Sequence, residues 1–497
     1  VSTHYDLAVI GAGSGGFAAA LAGARLGLRT LLVEKADTLG GNAVRCGVNI
    51  WEMGAGGTGI PFDLYRRLKR QTIVPPHWDS PQPAVAIYSY GRHMCWPLKK
   101  GQSPFPGGEQ VIDPDRRYID SLRRHGTQGL AADEASVREL WHGVPFEPDA
   151  CHAAMVDMLR ETECCTVVTR TAFTQVHHHA GRITAMELDD GRTITADAWI
   201  DGTADGLLCL ACGCESVIGQ ESSETYHEPD APPQANRMIN GVSLIYRVKD
   251  MGKITAQPAL DGDDLPDVCW WRDRFPVVSS TQYPCGDRNM NPLPIMEGHE
   301  FLNQPYADAY RECTRRIRAQ WRWIQNEYPE FRNYIVTWIA PGAGVRESQR
   351  IVGQYVLTQH DLLASVTDQP HDDIICIADH AMDTHGQGNR RGGCGELKAP
   401  YGVPFRCLIP KGFSNLLIAC RAASFSSIAA SSCRLSRTMM QLGQAAGTAA
   451  AIAKKANVDV SRTPPAALRE SLASQHVQLT HPMTDAQRHH LLDESAL

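Results

Sequence analysis

The stretch YDLAVIGAGSGGFAAALAGARLGLRTLLVEK, residues 5–35, decides the fold. Leu7, Val9 and Ile10 form a short apolar run suited to a buried parallel strand, and Gly11, Gly13 and Gly16 follow as GxGxxG where the strand must turn into a helix. The first glycine permits the tight turn, the second lets backbone approach a pyrophosphate, and the third lets the helix pack closely on the sheet. Ser14 and Gly15 lie within the same loop, so the helix N-terminus faces the phosphates. Ala18–Leu26 reads as an alanine- and leucine-rich helix stopped at Gly27, and Leu31, Leu32 and Val33 as the second strand. Glu34 stands 23 positions after Gly11, where a carboxylate takes the ribose hydroxyls of an adenosine and repels a 2′-phosphate. The unit therefore predicts a dinucleotide site in an α/β fold with a parallel βαβ sheet.

Lys35 and the doublet Gly40-Gly41, followed by Asn42, come next in EKADTLGGNAVRCGVN, giving a second loop fit for close approach. This arrangement resembles the two-dinucleotide-binding-domain flavoproteins, in which the chain passes the pyrophosphate and runs on to the flavin. The resemblance implies FAD rather than NAD.

A chain of 497 residues is too long for one simple core, and 43% hydrophobic residues supply ample burial. The net charge of −7 argues against nucleic acid or an anionic membrane as the main partner. No apolar run approaches the roughly 18 residues needed to span a bilayer. The first strand begins within a few residues of Val1, so the expected localisation is cytoplasmic. Sixteen cysteines are scattered rather than set out as a disulfide framework, which points to reduced thiols. Cys209, Cys212 and Cys214 lack a fourth ligand of fitting spacing and read as buried residues; no metal is expected. Cys46 follows the glycine doublet, but Trp51 occupies the place of a second sulfur, so a dithiol mechanism is not expected.

Three separated segments read as the nucleotide domain: 1–73, 147–215 and 341–460. Residues 147–163 look helical, and 165–176, 182–188 and 193–200 look like strands, with a turn at Asp189-Asp190-Gly191. The last strand leads into Asp201-Gly202-Thr203-Ala204-Asp205, which resembles the element that returns such flavoproteins to the adenosine side. Residues 74–146 read as a loop-rich insertion. Residues 216–340 carry Trp270, Trp271, Trp321, Trp323 and Trp338 among several arginines, and are assigned to an inserted α+β substrate or cap domain. Residues 461–497 form a C-terminal extension. PGAGVRE at 341–347 imitates a second dinucleotide loop but lacks the third glycine.

GVRESQRIVGQYVLTQHDLL (344–363), PYGVPFRCLIPKGFSNLLIACRAAS (400–424) and SSCRLSRTMMQLGQAAGTAAAIA (431–453), taken with GGNA and IDGTADG, resemble the bacterial FAD-dependent oxidoreductase family, whose flavoprotein domain is akin to that of fumarate reductase. The resemblance implies a Rossmann-like FAD-binding domain, and a strand at Leu416–Ile418 that returns to the cofactor. The family often has glycine where Cys420 stands before Arg421. Residues 437–453 read as a helix with Gly443, Ala446, Gly447 and Ala450 on closely spaced faces, fit for tight helix packing and expected to bring Gly443 to the cofactor as well. Arg434 or Arg437 near its start would stabilise negative charge on a reduced flavin.

ADHAMDTHGQGNRRGGCGE at 378–396 gathers Asp379, His380, Asp383 and His385 just ahead of the return segment. His380 or His385 is suited to accept the proton released when a hydroxyl-bearing carbon loses hydride. Arg346, Arg350 and Arg421 are fit to clamp a polar substrate or the flavin, though Arg346 and Arg350, read as one helix face, are also fit to form an ion pair with Glu347 or another acid. The expected activity is hydride transfer between a small polar substrate, bearing a hydroxyl or amine, and flavin N5, with an electron acceptor that the sequence does not name. Two alternatives stay open: a flavin-dependent reductase of an activated C=C bond, and an electron-transfer or regulatory flavoprotein acting through a protein partner.

Overall fold

The computed structural model describes residues 3–52, 54–70, 72–73, 84–85, 93–107, 110–111, 117–122, 142–253, 268–283, 285–386 and 394–495. Strand β1 (Thr3–Ile10), helix α1 (Ser14–Arg25) and strand β2 (Thr30–Val33) form the expected βαβ unit, with Leu7 opposite Thr30 and Ile10 opposite Val33 in parallel register. Strand β3 (Cys165–Val168) extends the sheet beyond β2. On the other side β4 (Thr193–Asp201) runs parallel to β1 from Thr3–Ile194 to Ile10–Asp201. Strand β5 (Leu416–Ile418) pairs with the end of β4, so chain from the far C-terminal part completes the sheet. All of β2 and nearly all of β1 beyond Tyr5 are buried, as expected of a parallel sheet covered on both faces.

The 165–176 segment is not one strand. It breaks after Val168, Arg170 takes a positive φ of 54°, and a new strand, Phe173–His179, pairs antiparallel with Arg182–Leu188 before the chain enters β4. The expected C-terminal helix spans Ser436–Ala456 and is labelled α2. It packs along α1 at glycine positions. A Cβ on Gly443 would lie 1.9 Å from the Gly15 carbonyl oxygen, and one on Gly447 would lie 2.2 Å from that of Ala19. Gly443 therefore serves helix contact.

A second sheet has the order Tyr334–Ile339, Tyr246–Asp250, Arg288–Pro292, Val277–Gln282, Met94–Pro97, Phe105–Pro106. Its last two strands come from the loop-rich stretch 74–146, most of which lies outside the described residues. The helix Tyr306–Glu327 buries Cys313, Ile317, Trp321 and Ile324 against this sheet. Trp271 and Trp321 are core residues, whereas Trp270 is exposed beneath the Arg315 guanidinium. Arg247 of the second sheet is buried between Asp287 (2.6 Å) and Glu147 (2.9 Å), the residue that precedes helix Pro148–Arg160. Truncating any member would leave a buried charge uncompensated. Among the described residues, no helix is long and apolar enough to cross a membrane.

Because Gly443 meets backbone rather than a flexible side chain, Gly443→Ala should lower unfolding stability by about 1–3 kcal/mol through overpacking. A shift of the urea midpoint at constant slope checks this. An unchanged midpoint would mean that the two helices have room to separate.

Candidate active site

Gly11 turns the chain with φ +90°, and a Cβ there would come within 2.6 Å of Gly202. A Cβ on Gly16 would strike the Gly11 carbonyl oxygen at 1.8 Å, and one on Gly15 that of Ala419. Gly13 differs: the nearest atom to a Cβ on it would be the Gly202 oxygen at 3.9 Å, so its face of the loop is open. Gly40 donates to the Ala12 carbonyl at 2.8 Å, and a Cβ on Gly41 would sit 3.0 Å from the Gly13 Cα. The second glycine loop thus lies against the first, with Asn42 in the 3-10 turn Gly41–Ala43 that follows. Glu34 accepts from the backbone N–H of Ala12 (2.7 Å) and of Ala36 (2.8 Å), which fixes its carboxylate at the rim of the loop. Lys35 beside it is exposed.

Asp201 is fully buried and accepts from Thr203 N–H, Thr203 Oγ1 and Cys209 N–H; burial pushes its carboxyl up. It braces the Gly202-Thr203 turn against the glycine loop. Burial also opposes ionisation of Asp205, but Arg421 and Ser348 more than offset it and hold that carboxyl below its ordinary value. Arg421 Nε is buried with no partner among the described residues. An open glycine cradle, a helix N-terminus, a fixed acid and an unsatisfied guanidinium nitrogen together fit a dinucleotide with a flavin beyond it.

The second group of residues is brought together from segments distant in sequence. Strand Ile374–Ala378 delivers Asp379 and His380, and a short strand at Met382–Asp383 delivers Asp383, with His385 just beyond. His385 Nε2 and Arg434 Nη2 both contact Asp383 Oδ2, at 2.8 and 2.7 Å. Burial works to raise the Asp383 pKa, but His385 and Arg434 hold it well below the usual carboxylate range. Burial, with the nearby Arg346 charge, pushes His385 down and favours neutral imidazole. Half-buried Arg346 donates to the Gly241 carbonyl (2.8 Å) and Ser243 Oγ (3.0 Å); burial and the Arg434 charge bring its pKa down to about 10.

Arg346 and Arg350 do not share a helix face. Residues 344–349 are irregular, and Arg350 enters a two-residue strand. Arg350 is buried and ion-paired with Glu347 (2.6 Å) and Glu221 (2.7 Å). The ion-pair reading therefore applies to Arg350, while Arg346 faces the cluster. Glu347 also accepts from the Asn240 N–H and Nδ2, and Asn240 Oδ1 accepts from His385 N–H. The buried salt bridge thus fixes the backbone that carries His385. Arg437 turns instead to Ser121 and Tyr118. Residues 387–393 of the glycine-rich loop lie outside the described residues.

Three participants had no motif to mark them: Asn240, Ser243 and Glu52. Glu52 Oε2 lies 2.7 Å from His380 Nε2. Cys46 is buried, its Sγ donates to the Ala343 carbonyl, and burial pushes the thiol up to about 11, so it offers no thiolate near neutral pH.

The depressed pKa of His385 sets a direction for stability against pH. The unfolded chain binds its proton near 6.5 and the folded chain only at lower pH, so this contribution is complete above about 6.5 and is lost as pH falls through that window. His385→Gln should therefore flatten the fall in urea midpoint between about pH 7 and 5. An unaltered pH slope would place the titrating group elsewhere.

Residues 6–90 and 109–472 match the family model described as FAD dependent oxidoreductase. The chain is 23% identical over 444 residues to a 3-oxosteroid 1-dehydrogenase of Mycobacterium tuberculosis, an alignment covering 73% of this chain and 75% of that protein. It is 47% identical over 382 residues to a 3-oxosteroid 1-dehydrogenase of Mycolicibacterium smegmatis, covering 62% and 63% respectively. Among solved structures, a geranylgeranyl bacteriochlorophyll reductase-like protein of Thermoplasma acidophilum aligns over 99% of this chain and 96% of its own, at 12% identity and a TM-score of 0.45. The family match takes in both glycine loops, β4, β5, α2 and the residues around Asp383; the chain belongs to the FAD-dependent oxidoreductase family and is an enzyme whose cofactor is FAD.

Proposed function

We propose that the enzyme passes hydride between a small substrate bearing a hydroxyl or amine and FAD, at the junction of the two sheets. The observation that carries this reading is the convergence of Asp383, His385, Arg346 and Arg434 with the His380–Glu52 pair ahead of β5. Such a concentration of ionisable groups, with Asp383, His385 and Arg346 shifted from their ordinary pKa values, costs stability and supports a site of chemistry.

The backbone N–H groups of Ser14, Gly15 and Gly16 bind the pyrophosphate, with Gly11 and Gly13 allowing the approach. Glu34 takes the adenosine ribose hydroxyls. Gly40, Gly41 and Asn42 carry the chain past the phosphates, Gly202 and Thr203 line the adenosine side, and Arg421 supplies its free nitrogen. FAD supplies a two-electron hydride acceptor or donor. Around it, Arg346 and Arg434 orient polar substrate groups and stabilise negative charge. Proton exchange falls to the His380–Glu52 and Asp383–His385 pairs.

The opposite direction, reduction of an activated C=C bond, is supported by one particular feature. Arg346, with its pKa brought down to about 10, is a better proton donor than an ordinary arginine. Anaerobic flavin bleaching by a panel of secondary alcohols, hydroxy acids, sugars and amines tests the first reading. Reoxidation of dithionite-reduced enzyme by unsaturated acids tests the second.

Glu34→Arg replaces the ribose acceptor with a cation and releases the Ala12 and Ala36 N–H groups. It should weaken FAD binding at least about tenfold, the range of one lost charged hydrogen bond. Quenching of flavin fluorescence on adding FAD to apoprotein measures it. Parental affinity in the variant would remove Glu34 from the cofactor site.

A further inference from the structure

Glu52 belongs to none of the glycine motifs, yet it is the partner of the histidine that sequence marks as a candidate base. It follows the short strand Ile50–Trp51, downstream of the second glycine loop. Its neighbours Gly47 and Asn49 meet the second sheet: Asn289 Nδ2 donates to the Gly47 carbonyl, and Thr281 Oγ1 to Asn49 Oδ1. Glu52 therefore stands at the seam between the sheets. The two members of its pair with His380 are unequally placed. The His380 side chain is only 4% exposed and the Glu52 side chain 28%. His380 Nε2 is taken by Glu52 at 2.7 Å, and His380 Nδ1 is buried with no hydrogen-bond partner among the described residues.

We propose that Glu52 is the proton acceptor of the active site and that His380 is its positioning residue, buried behind it. This rests on the hydride-transfer reading given above. A general base must bring a lone pair within hydrogen-bond reach of the proton it takes. Neither imidazole nitrogen of His380 does so, one being occupied and the other enclosed, whereas the Glu52 side chain keeps accessible surface. A neutral His380 with its proton on Nε2 donates to Glu52 and leaves Nδ1 bare, so the imidazole orients the carboxylate much as a carboxylate orients imidazole in a hydrolase triad, with the roles reversed.

The charged groups near the pair come from several elements: the Glu52 charge is felt at Arg346, and that of His380 at Asp383. Arg346 lies on the segment before Arg350, Asp383 and His385 on the short strand and the turn after it, and Arg434 just ahead of α2. Asp379, next to His380, packs on Gly54, where a Cβ would fall 2.3 Å from its Oδ1. In the oxidation of a carbinol, the C–H bond yields its electron pair with hydrogen to FAD, the O–H bond yields its proton to Glu52, and the C–O bond becomes a carbonyl. The substrate loses two electrons, FAD gains them, and Glu52 ends protonated.

The test uses Glu52→Gln and His380→Asn in the FAD-loaded protein. Histidine-selective ¹⁵N NMR reads the pair without turnover: one imidazole should show protonated Nε2 and bare Nδ1, vanish in His380→Asn, and shift in Glu52→Gln. With any compound of the alcohol, hydroxy acid, sugar and amine panel that bleaches the parental flavin, Glu52→Gln should slow bleaching about 10²–10⁴-fold and abolish its loss at acid pH. His380→Asn should keep that acid limb at a displaced pH. A Glu52→Gln variant that bleaches at the parental rate with its acid limb in place overturns the proposal, as does a His380 signal that Glu52→Gln does not move. If no compound bleaches the parental flavin, the hydride-transfer reading falls and takes the acceptor role with it, while the NMR result still reports on the pair.

Discussion

The contact between α1 and α2 is the constraint on which the rest of the structure depends. Gly443 and Gly447 carry no Cβ at the points of closest approach, so α1 places the carbonyl oxygens of Gly15 and Ala19 where those Cβ atoms would be. One helix begins at the first glycine loop and the other follows the last strand of the same sheet. Their approach closes a sheet whose strands come from opposite ends of the chain, and holds Gly15 against the Ala419 carbonyl at the end of β5. The glycine cradle is therefore held by backbone packing, before any ligand contact is considered.

That architecture was legible in the sequence because its signals are local. A strand, a glycine turn, a helix and an acid at fixed spacing leave few alternatives, and β4, β5 and α2 each declare their period or their apolar run. The second sheet was not legible in the same way. Val277–Gln282 reads VVSSTQ and Arg288–Pro292 reads RNMNP, with neither alternation nor an apolar run, yet Ser279, Ser280, Thr281 and Asn289 are buried. Part of the reason lies on the far side of the seam. Asn289 and Thr281 spend their polarity on the loop at Gly47–Asn49, a long-range pairing that no window of sequence displays.

The candidate site divides along the same line. Asp383 and His385 are two residues apart in an extended segment and meet directly, so sequence proximity found them. His380 and His385 looked equivalent because the sequence offers two histidines in one polar loop. Long-range partners separate them: Glu52 lies 328 positions before His380, whereas His385 has Asp383 in its own strand segment and Arg346 nearby. The misreading of Arg346 and Arg350 has a similar cause. A spacing of four implies a shared helical face only where a helix exists, and here Arg350 is drawn into a buried salt bridge on a strand while Arg346 turns to the junction.

Two kinds of buried charge thus coexist within five residues. Arg350 is surrounded by Glu347, Glu221 and two carbonyl oxygens, a satisfied set whose value is geometric, since through Glu347 and Asn240 it fixes the backbone of His385. Arg346 hydrogen-bonds, among the described residues, to a hydroxyl and a carbonyl, and burial with the neighbouring Arg434 charge outweighs the pull of Asp383 and Glu52 and lowers its pKa. Folding alone favours the first arrangement and is opposed by the second. A half-buried cation whose pKa is lowered by burial and a second arginine is the arrangement that the proposed substrate-binding role of Arg346 calls for. The neighbouring salt bridge is what lets the fold hold such a cation in place.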